Sequence, residues 1–164
     1  LVHLSTGDIF RYNIKNDTDL GKLAKTFMDK GDLVPDEVTI KMLQSEVEKN
    51  PEAKGFLFDG FPRTIAQAEA LDAFLSSKNQ KITATVALEA DDNILVKRLL
   101  ERGKTSGRPD DQDEEKIRNR YDEYNQKTAP LMDYYKAQYK FKSVDGIGSI
   151  AEVTERLSAV IDTL

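Results

Sequence analysis

A short apolar run followed by a polar turn constrains this chain more than any other stretch. Residues 55–67 read GFLFDGFPRTIAQ. Three consecutive apolar side chains, Phe56 to Phe58, are typical of a strand that is buried on both faces, as in a parallel sheet. Asp59 and Gly60 end the run, and open α/β sheets bind their ligands at the carboxyl ends of their strands. The stretch therefore predicts a parallel strand that leads into a binding turn.

Arg63 follows this turn directly. Pro62 fixes φ before the next helix, and Thr64 is a favourable N-cap for a helix that begins at Ile65. The planar guanidinium of arginine suits a phosphate group. The competing interpretation is a tight strand-to-helix turn with a solvated arginine, because short motifs also match by chance.

The composition is that of one folded domain. The chain has 164 residues, of which 39% are hydrophobic and 32% are charged, enough for a sizeable core. The net charge of −5 argues against a basic nucleic-acid-binding surface, so an anion site has to be a local cluster. No cysteine is present, which excludes disulfides and thiolate chemistry. We see no signal peptide and no apolar stretch of membrane-spanning length.

Strand-like and helix-like segments alternate along the chain. The predicted strands are residues 1–4, 56–58, 82–88 and 139–144, and the predicted helices begin near Ile9, Asp19, Asp36, Ile65, Asp91, Asp113 and Ile150. This alternation predicts a three-layer α/β fold with a mostly parallel sheet. Asp36 is expected to cap the third helix, and Pro130 to kink or interrupt the long helix over 113–137.

Apolar stripes predict the buried faces of three of these helices. They are Leu20, Leu23, Ala24 and Phe27 in the second helix, Val38, Met42, Leu43 and Val47 in the third, and Val153, Leu157, Val160 and Ile161 in the last. Gly31 is expected to end the second helix in the left-handed conformation. His3 is the only histidine, and a lone histidine in a strand is more often structural than catalytic, so no role is assigned to it.

A polar segment and five arginines carry the chemistry. Residues 103–111 read GKTSGRPDD and predict an exposed, mobile loop between two helices. The arginines near this loop or near predicted strand ends are Arg11, Arg63, Arg102, Arg108 and Arg120. Arginine suits phosphate recognition better than lysine does. The alternative is a set of surface arginines, each paired with one of the many acidic residues.

The order and spacing of six motifs carry a family resemblance. They are STGDIFR, GDLVPDE, GFLFDGFPRTIAQ, RGKTSGRPDD, RNRYDEY and TAPLMDYY. This series closely resembles the adenylate kinase family, in the form with a short lid, over essentially the whole chain. The resemblance implies the three-layer P-loop fold of nucleoside monophosphate kinases, and reversible phosphoryl transfer from ATP to AMP, giving two ADP, with Mg²⁺. It also implies a core of residues 1–4, 35–101 and 112–164, an AMP-binding domain over 5–34 and a short lid over 102–111.

The resemblance also implies residue roles, and most concern AMP. The implied AMP-binding residues are Thr6, Arg11, Asp32, Leu33, Val34, Gly60, Phe61, Pro62, Arg63, Gln67, Arg108 and Arg120. Thr6 would meet the adenine side and Gln67 the adenine edge, while Leu33 and Val34 would contact the base through their backbone. Arg11 and Arg63 would bind the phosphate of AMP.

The remaining implied roles concern ATP, the metal and the transferring phosphate. Arg102 would bind ATP from the lid, and Gly148 would lie near its adenine. Asp59 would hold the water shell of Mg²⁺. The implied catalytic residues are Arg63, Arg108, Arg120, Asp110 and Asp111, with the two acids orienting arginines that bridge the transferring phosphate. Such transfer needs in-line positioning, neutralised charge and excluded water rather than a general base.

Partners follow from the same resemblance. We expect small-molecule nucleotides as the only partners, with no nucleic acid and no membrane, and a cytoplasmic monomer. The lid is too short for a zinc site and lacks cysteine and histidine, so no structural zinc is expected.

One family motif is absent from these 164 residues, namely the phosphate loop G-x-x-x-x-G-K-[ST]. In relatives it lies upstream, with a strand that sits in the middle of the sheet. The chain also begins with Leu1 rather than Met. We therefore expect a piece of a complete kinase, and the alternative is a truncated protein whose catalysis is doubtful. An intact mass of 18.5 kDa for the preparation would contradict the first hypothesis.

Two other functions stay open at this point. A uridylate–cytidylate kinase shares the fold and the short lid, although Thr6 and Gln67 favour adenine. A domain that binds AMP without catalysis is the alternative from a different class. A panel of nucleoside monophosphates and an assay of turnover distinguish these functions.

Overall fold

The computed structural model describes all 164 residues as an α/β fold with four strands and eight α-helices. The strands are β1 (Val2–Ser5), β2 (Phe56–Asp59), β3 (Thr85–Glu89) and β4 (Phe141–Asp145). The helices are α1 (Thr6–Lys15), α2 (Asp19–Met28), α3 (Asp36–Glu48), α4 (Ile65–Ser77), α5 (Asp92–Ser106), α6 (Glu114–Glu123), α7 (Leu131–Lys136) and α8 (Ile150–Ile161). A 3-10 turn (Pro109–Asp111) follows α5, and a π-helical turn (Tyr124–Thr128) follows α6.

The strands form two parallel pairs. β1 pairs with β2 in a register that sets Ser5 beside Asp59, and β3 pairs with β4 so that Glu89 lies beside Asp145. The two pairs are not hydrogen-bonded to each other. The predicted α/β class with parallel strands is confirmed. In each pair, the carboxyl ends of both strands lie at the same edge, where the turns after β2 and β4 begin.

The prediction that Phe56 to Phe58 is buried on both faces is wrong. Phe56 and Phe58 are half-buried and pack on the core formed by β1, α3 and α4, but Leu57 is 54% exposed. Successive side chains of a strand point to opposite faces, and only one face of β2 is covered. An unbroken apolar run does not distinguish one covered face from two.

Three apolar clusters hold the elements together. The largest joins β1, α3 and α4 through residues such as Leu4, Leu43 and Leu71. A second joins α1 and α2 to the start of α3, and a third joins α4 to α7. These clusters fix the helix starts at the carboxyl ends of β1 and β2. No helix is both long enough and apolar enough to cross a membrane.

The starts of two helices differ from the prediction, one in its first residue and one in its N-cap. α1 begins at Thr6 rather than Ile9, because the Ser5 hydroxyl accepts a hydrogen bond from the backbone N–H of Asp8. The N-cap of α3 is Pro35 and not Asp36, and Pro35 makes no side-chain cap bond. The carboxylate of Asp36 is directed to α4 instead.

The prediction of an exposed loop over residues 103–111 is wrong in part. α5 continues through Ser106, and the break comes only at Gly107, which has a φ of 65°. Gly103 and Asp111 are both buried. A Cβ at Gly103 would lie 2.2 Å from the backbone oxygen of Asp111, so this glycine lets the 3-10 turn pack closely on α5.

The predicted interruption near Pro130 is confirmed. The long helix over 113–137 is divided into α6, the π-helical turn and α7. Pro130 precedes α7 directly, where its missing N–H is tolerated. Asp113 caps α6 by accepting a hydrogen bond from the N–H of Glu115.

Several predicted boundaries and buried positions are wrong at single residues. β3 and β4 begin after Ile82 and Tyr139, and Tyr139 is 96% exposed with a φ of 57°. Leu23 and Ile161 are exposed although the stripes place them inward. The stripe of α3 is confirmed, and Gly31 has the expected positive φ of 80°.

Candidate nucleotide-binding site

The carboxyl ends of β1 and β2 meet at a tight turn. Gly60 has a φ of 71°, and a Cβ there would lie 2.8 Å from Nη2 of Arg63 and 3.1 Å from Oγ1 of Thr6. The buried Thr6 hydroxyl donates to the carbonyl oxygen of Gly60 at 3.0 Å. Only glycine accommodates both the backbone conformation and these two contacts. The exposed carboxylate of Asp59 lies beside the turn, 3.2 Å from Nε2 of His3.

Arg63 is a half-buried cation without a carboxylate partner within 4.0 Å. Its Nε donates to the Gly60 carbonyl oxygen at 2.8 Å, which fixes the guanidinium above the turn. Burial lowers the pKa of Arg63, and the neighbouring cation of Arg120 lowers it further. The Thr128 hydroxyl donates to the Arg63 carbonyl oxygen at 2.7 Å. A cation held this way is stabilised by an incoming anion.

The start of α4 carries a partly buried polar network. The Thr64 hydroxyl accepts a hydrogen bond from the N–H of Gln67 at 3.1 Å, and it donates to Oδ1 of Asp36 at 3.0 Å. The Gln67 side chain bonds to Asp36 through Nε2, and to the backbone N–H of Arg63 through Oε1, both at 2.8 Å. The network joins the starts of α3 and α4 next to the turn.

Arg11 contributes a cation from α1. Its Nη2 is bonded to Oδ1 of Asp8, one helical turn away. This hydrogen bond lowers the pKa of the Asp8 carboxyl below its ordinary value of 3.8, and the charges of Arg11 and Arg108 lower it further. The predicted shared face of Asp8 and Arg11 is therefore present, and the charge of Arg108 acts on Asp8 of α1.

Arg102 of α5 and Arg120 of α6 meet on one buried acid. The Asp111 side chain has no exposed surface, and it accepts from Nε of Arg102 at 2.6 Å and from Nη1 of Arg120 at 2.8 Å. Nη1 of Arg120 also lies 2.9 Å from Asp110. Asp111 thus ties the end of α5 to α6, and it sets the direction of both guanidinium groups.

Arg108, like Arg63 and the exposed Arg98, has no carboxylate within 4.0 Å. It is half-buried, and burial lowers its pKa, followed by the charges of Arg11 and Arg102. The charges of Arg120 and Arg11 also lower the pKa of Arg63, after burial. Each of the five predicted arginines therefore interacts electrostatically with at least one of the others. We call the group of Arg11, Arg63, Arg102, Arg108 and Arg120 the arginine cluster.

The remaining predicted residues lie at several depths. Val34 and Phe61 are buried in the apolar clusters, whereas Asp32, Leu33 and Pro62 are half-buried. Nδ2 of Asn119 donates to Oδ1 of Asp32 and to the carbonyl oxygen of Lys30, both at 2.8 Å. Gly31 lies against α6 in the same place, where a Cβ would be 2.6 Å from the carbonyl oxygen of Lys116. The 30–34 segment is thus docked on the helix that carries Arg120.

Gly148 lies in the turn that follows β4. It is exposed with a φ of 131°. Arg98 of α5 donates to the carbonyl oxygens of Gly146 and Gly148, at 2.6 Å and 3.2 Å. The turn is therefore held at the carboxyl end of the β3–β4 pair.

Comparison with known proteins gives one family. A model described as adenylate kinase matches residues 1–140. The adenylate kinase of Flavobacterium psychrophilum is 77% identical over all 164 residues, which cover 86% of that protein. The adenylate kinase of Flavobacterium johnsoniae is 70% identical over the same length and share. That of Renibacterium salmoninarum is 48% identical over 162 residues, or 99% of this chain and 83% of the relative.

The chain belongs to the adenylate kinase family. Adenylate kinases are nucleoside monophosphate kinases, a class of phosphotransferase, and this agrees with a group of arginines around a strand-to-helix turn.

Four residues that contact predicted site residues have no site role in the sequence-based prediction. Asp36 was expected to cap a helix, and His3 was given no role, yet each bonds to a predicted site residue. Asn119 and Thr128 had no expected role and contact Asp32 and Arg63. The only sequence signal is proximity, since Asn119 stands between two arginines and Thr128 lies in the TAPLMDYY motif.

Proposed function

We propose that this chain carries the nucleotide sites for reversible phosphoryl transfer between ATP and AMP, giving two ADP. The observation that carries the proposal is the arginine cluster, in which Arg63 and Arg108 lack a carboxylate partner. Arg98 also lacks a carboxylate partner, but it is exposed and donates to the backbone carbonyl oxygens of Gly146 and Gly148. Two half-buried cations without one favour an anionic ligand.

The AMP side of the proposal uses the turn after β2. Arg63 and Arg11 bind the phosphate, and the Gly60 turn allows close approach. The adenine lies between Thr6, Gln67 and the backbone of residues 33–34, with Asp32, Phe61 and Pro62 shaping the surroundings. Thr6 is occupied by the Gly60 carbonyl oxygen, so it supports the turn as well as the base.

The transfer step depends on charge and position. Arg108 and Arg120 neutralise the transferring phosphoryl group, and Asp110 and Asp111 orient the guanidinium of Arg120. No general base is required because the acceptor is already a phosphate anion. Closure of the lid brings Arg102 and Arg108 to the phosphates, and the same closure excludes water.

The ATP side of the proposal involves Arg102, Gly148 and Mg²⁺. The exposed Asp59 carboxylate lies at the end of β2, 3.2 Å from Nε2 of His3, and no group of three metal-binding side chains surrounds it. This suits Mg²⁺, which keeps several waters and takes one or two carboxylates together with substrate phosphates. When bound, Mg²⁺ neutralises phosphate charge, and Asp59 would accept hydrogen bonds from its waters.

A binding titration with AMP tests the proposal. We expect Arg63→Ala to weaken AMP binding by about 1.5–3 kcal/mol, the usual cost of losing a charged hydrogen-bonding partner. Arg118→Ala is the matched control, because Arg118 is exposed on α6 and pairs with Glu114. Unchanged AMP affinity in Arg63→Ala would contradict the proposal and favour the interpretation as surface arginines.

Turnover and base choice are tested separately. A coupled assay of ADP formation from ATP, Mg²⁺ and AMP distinguishes a catalyst from a domain that only binds AMP. Repeating the titration with UMP and CMP addresses the uridylate–cytidylate alternative, and tighter binding of either pyrimidine nucleotide would favour it over AMP.

A further inference from the structure

The carboxylate of Asp36 is placed where it controls another side chain. It lies on the first turn of α3, but its Oδ1 accepts hydrogen bonds from Thr64 and from Nε2 of Gln67, at 3.0 Å and 2.8 Å. These two residues lie 28 and 31 positions further along the chain. Gln67 is only 2% exposed, so its amide is fixed by protein contacts rather than by water.

Only one orientation of the Gln67 amide satisfies its surroundings. Nε2 donates to the Asp36 carboxylate, and Oε1 accepts from the backbone N–H of Arg63 at 2.8 Å. A half-turn of the amide would set an acceptor against the carboxylate and a donor against the N–H. Both contacts would become unfavourable, and buried polar groups without partners are costly. Asp36 and the Arg63 backbone therefore select one of two orientations that have nearly the same shape.

The selected orientation leaves a defined pattern for a ligand. The amide keeps one free N–H on Nε2 and one free lone pair on Oε1. Adenine matches this pattern, because its N1 accepts and its exocyclic amine donates. The same donor and acceptor arrangement lets glutamine pair with N7 and the exocyclic amine of adenine in the DNA major groove. Hypoxanthine has the opposite pattern, because its N1–H donates and its O6 accepts. A reversed amide would therefore suit IMP as well as the observed amide suits AMP.

We propose that Asp36 is a specificity-determining positioning residue, which makes Gln67 prefer adenine over hypoxanthine by fixing the orientation of its amide. This inference rests on the proposed function, in which Gln67 meets the adenine edge of AMP. It differs from a purely structural role, in which Asp36 only joins the starts of α3 and α4. A structural role predicts equal losses for every nucleotide, whereas positioning predicts a change in selectivity.

The test compares AMP and IMP binding by titration in the full 164-residue chain and in Asp36→Asn. An asparagine amide can present a donor or an acceptor to Gln67, so one of the two constraints on its orientation is removed. We expect the AMP-to-IMP affinity ratio to fall by about 5- to 20-fold, within the range known for bidentate base contacts. Glu37→Gln is the matched control, since Glu37 is the exposed acidic neighbour on the same first turn of α3. Its ratio is expected to equal that of the unaltered chain.

The outcomes separate this inference from the function on which it rests. Equal losses of AMP and IMP affinity in Asp36→Asn, or an unchanged ratio, would overturn the inference while leaving AMP binding intact as a property of the chain. An unaltered chain that binds AMP and IMP equally would overturn the role of Gln67 and this inference with it. Asp36→Ser is the second variant if Asp36→Asn does not fold, because its hydroxyl also donates or accepts, and the same fall in the ratio is expected.

Discussion

The acidic residues that pair with the arginine cluster differ in their exposure to water, which screens their charges. Asp111 has no exposed surface and holds two arginines, whereas the Asp8 side chain is 67% exposed and holds only Arg11. Water weakens the exposed pair, and pairs of this kind contribute less than about 1 kcal/mol. The two acids therefore have different effects. Asp111 fixes the orientation of the Arg102 and Arg120 guanidinium groups, whereas Asp8 partly neutralises the charge of Arg11.

The Asp8 pair gives a stability effect with a defined pH dependence. The pKa of Asp8 is lowered in the folded chain, so its contribution to stability is present above the ordinary value of 3.8 and is lost as pH falls through the folded value. We expect Asp8→Asn to lower the free energy of unfolding by less than about 1 kcal/mol at neutral pH. The difference from the unaltered chain is expected to be smaller at an acidic pH below 3.8 than at neutral pH, because the contribution is lost as the pH falls through the lowered pKa.

Urea unfolding at both pH values measures this effect. Asp19→Asn is the control for the charge at a helix start, because Asp19 lies in the first turn of α2 and makes no ion pair. A difference for Asp8→Asn that is as large in acid as at neutral pH would show that the ion pair is not its cause.

Gly103 determines how two elements approach each other. Replacing a helical glycine by alanine ordinarily stabilises an exposed helix by about 1 kcal/mol, because alanine has the better helix propensity. Here the added Cβ would lie 2.2 Å from the Asp111 backbone oxygen, and backbone cannot move aside as a side chain can. We expect Gly103→Ala to destabilise the chain by about 1–3 kcal/mol, the usual cost of overpacking.

The same substitution also displaces the 3-10 turn that carries Asp111. Thermal unfolding measures the loss of stability, and Thr105→Ala, at an exposed position of α5, is the matched control. A stabilised Gly103→Ala variant would mean that the 3-10 turn does not pack on α5 as described.

Elements with a regular pattern were predictable from sequence, and their ends were less so. The stripe of α3 and the break at Pro130 follow from residue spacing and from proline geometry, and both are confirmed. The exposed face of Leu57 was not predictable, because an apolar run carries no information about which faces other elements cover. The start of α1 depends on a single capping hydroxyl, so its prediction was wrong by three residues.

The candidate site was likewise predictable from sequence only in part. Motifs identified the five arginines and the Gly60 turn, because arginine and glycine have distinctive local chemistry. The contacts of Asp36 with Gln67, of Asn119 with Asp32 and of Thr128 with Arg63 join residues 31, 87 and 65 positions apart. Contacts of this kind depend on helix packing, which a single sequence does not reveal. The roles of the arginines toward nucleotide stay predictions that the titrations above test.

At the scale of the whole molecule, a negative chain carries a local positive cluster. The 29 acidic residues outnumber the 24 lysines and arginines, so a phosphate at long range meets net repulsion. Attraction is then confined to the arginine cluster. Salt affects such an interaction in a predictable direction, because the Debye length falls from about 10 Å at 0.1 M to about 3 Å at 1 M.

We expect AMP affinity to fall several-fold, roughly 3- to 10-fold, between 0.1 M and 1 M sodium chloride. Arg108→Ala is expected to show a smaller salt dependence, because one cation of the cluster is removed. Arg118→Ala, outside the cluster, is expected to keep the full dependence in the same titration series. A salt dependence that is identical in all three proteins would indicate that Arg108 does not act on the bound phosphate.

Asp111 limits how long a nucleotide can remain bound under the proposed function. Its carboxylate already occupies Arg102 and Arg120, so an arriving phosphate has to share these cations with a buried acid. When the nucleotide dissociates, Asp111 forms its ion pairs with Arg102 and Arg120 again. In a reversible reaction, nucleotide products dissociate in both directions, and slow dissociation would limit the turnover rate in each direction. Under the proposed function, we expect the buried carboxylate to compete with the phosphate for these arginines, which would lower the affinity and shorten the residence time of each product.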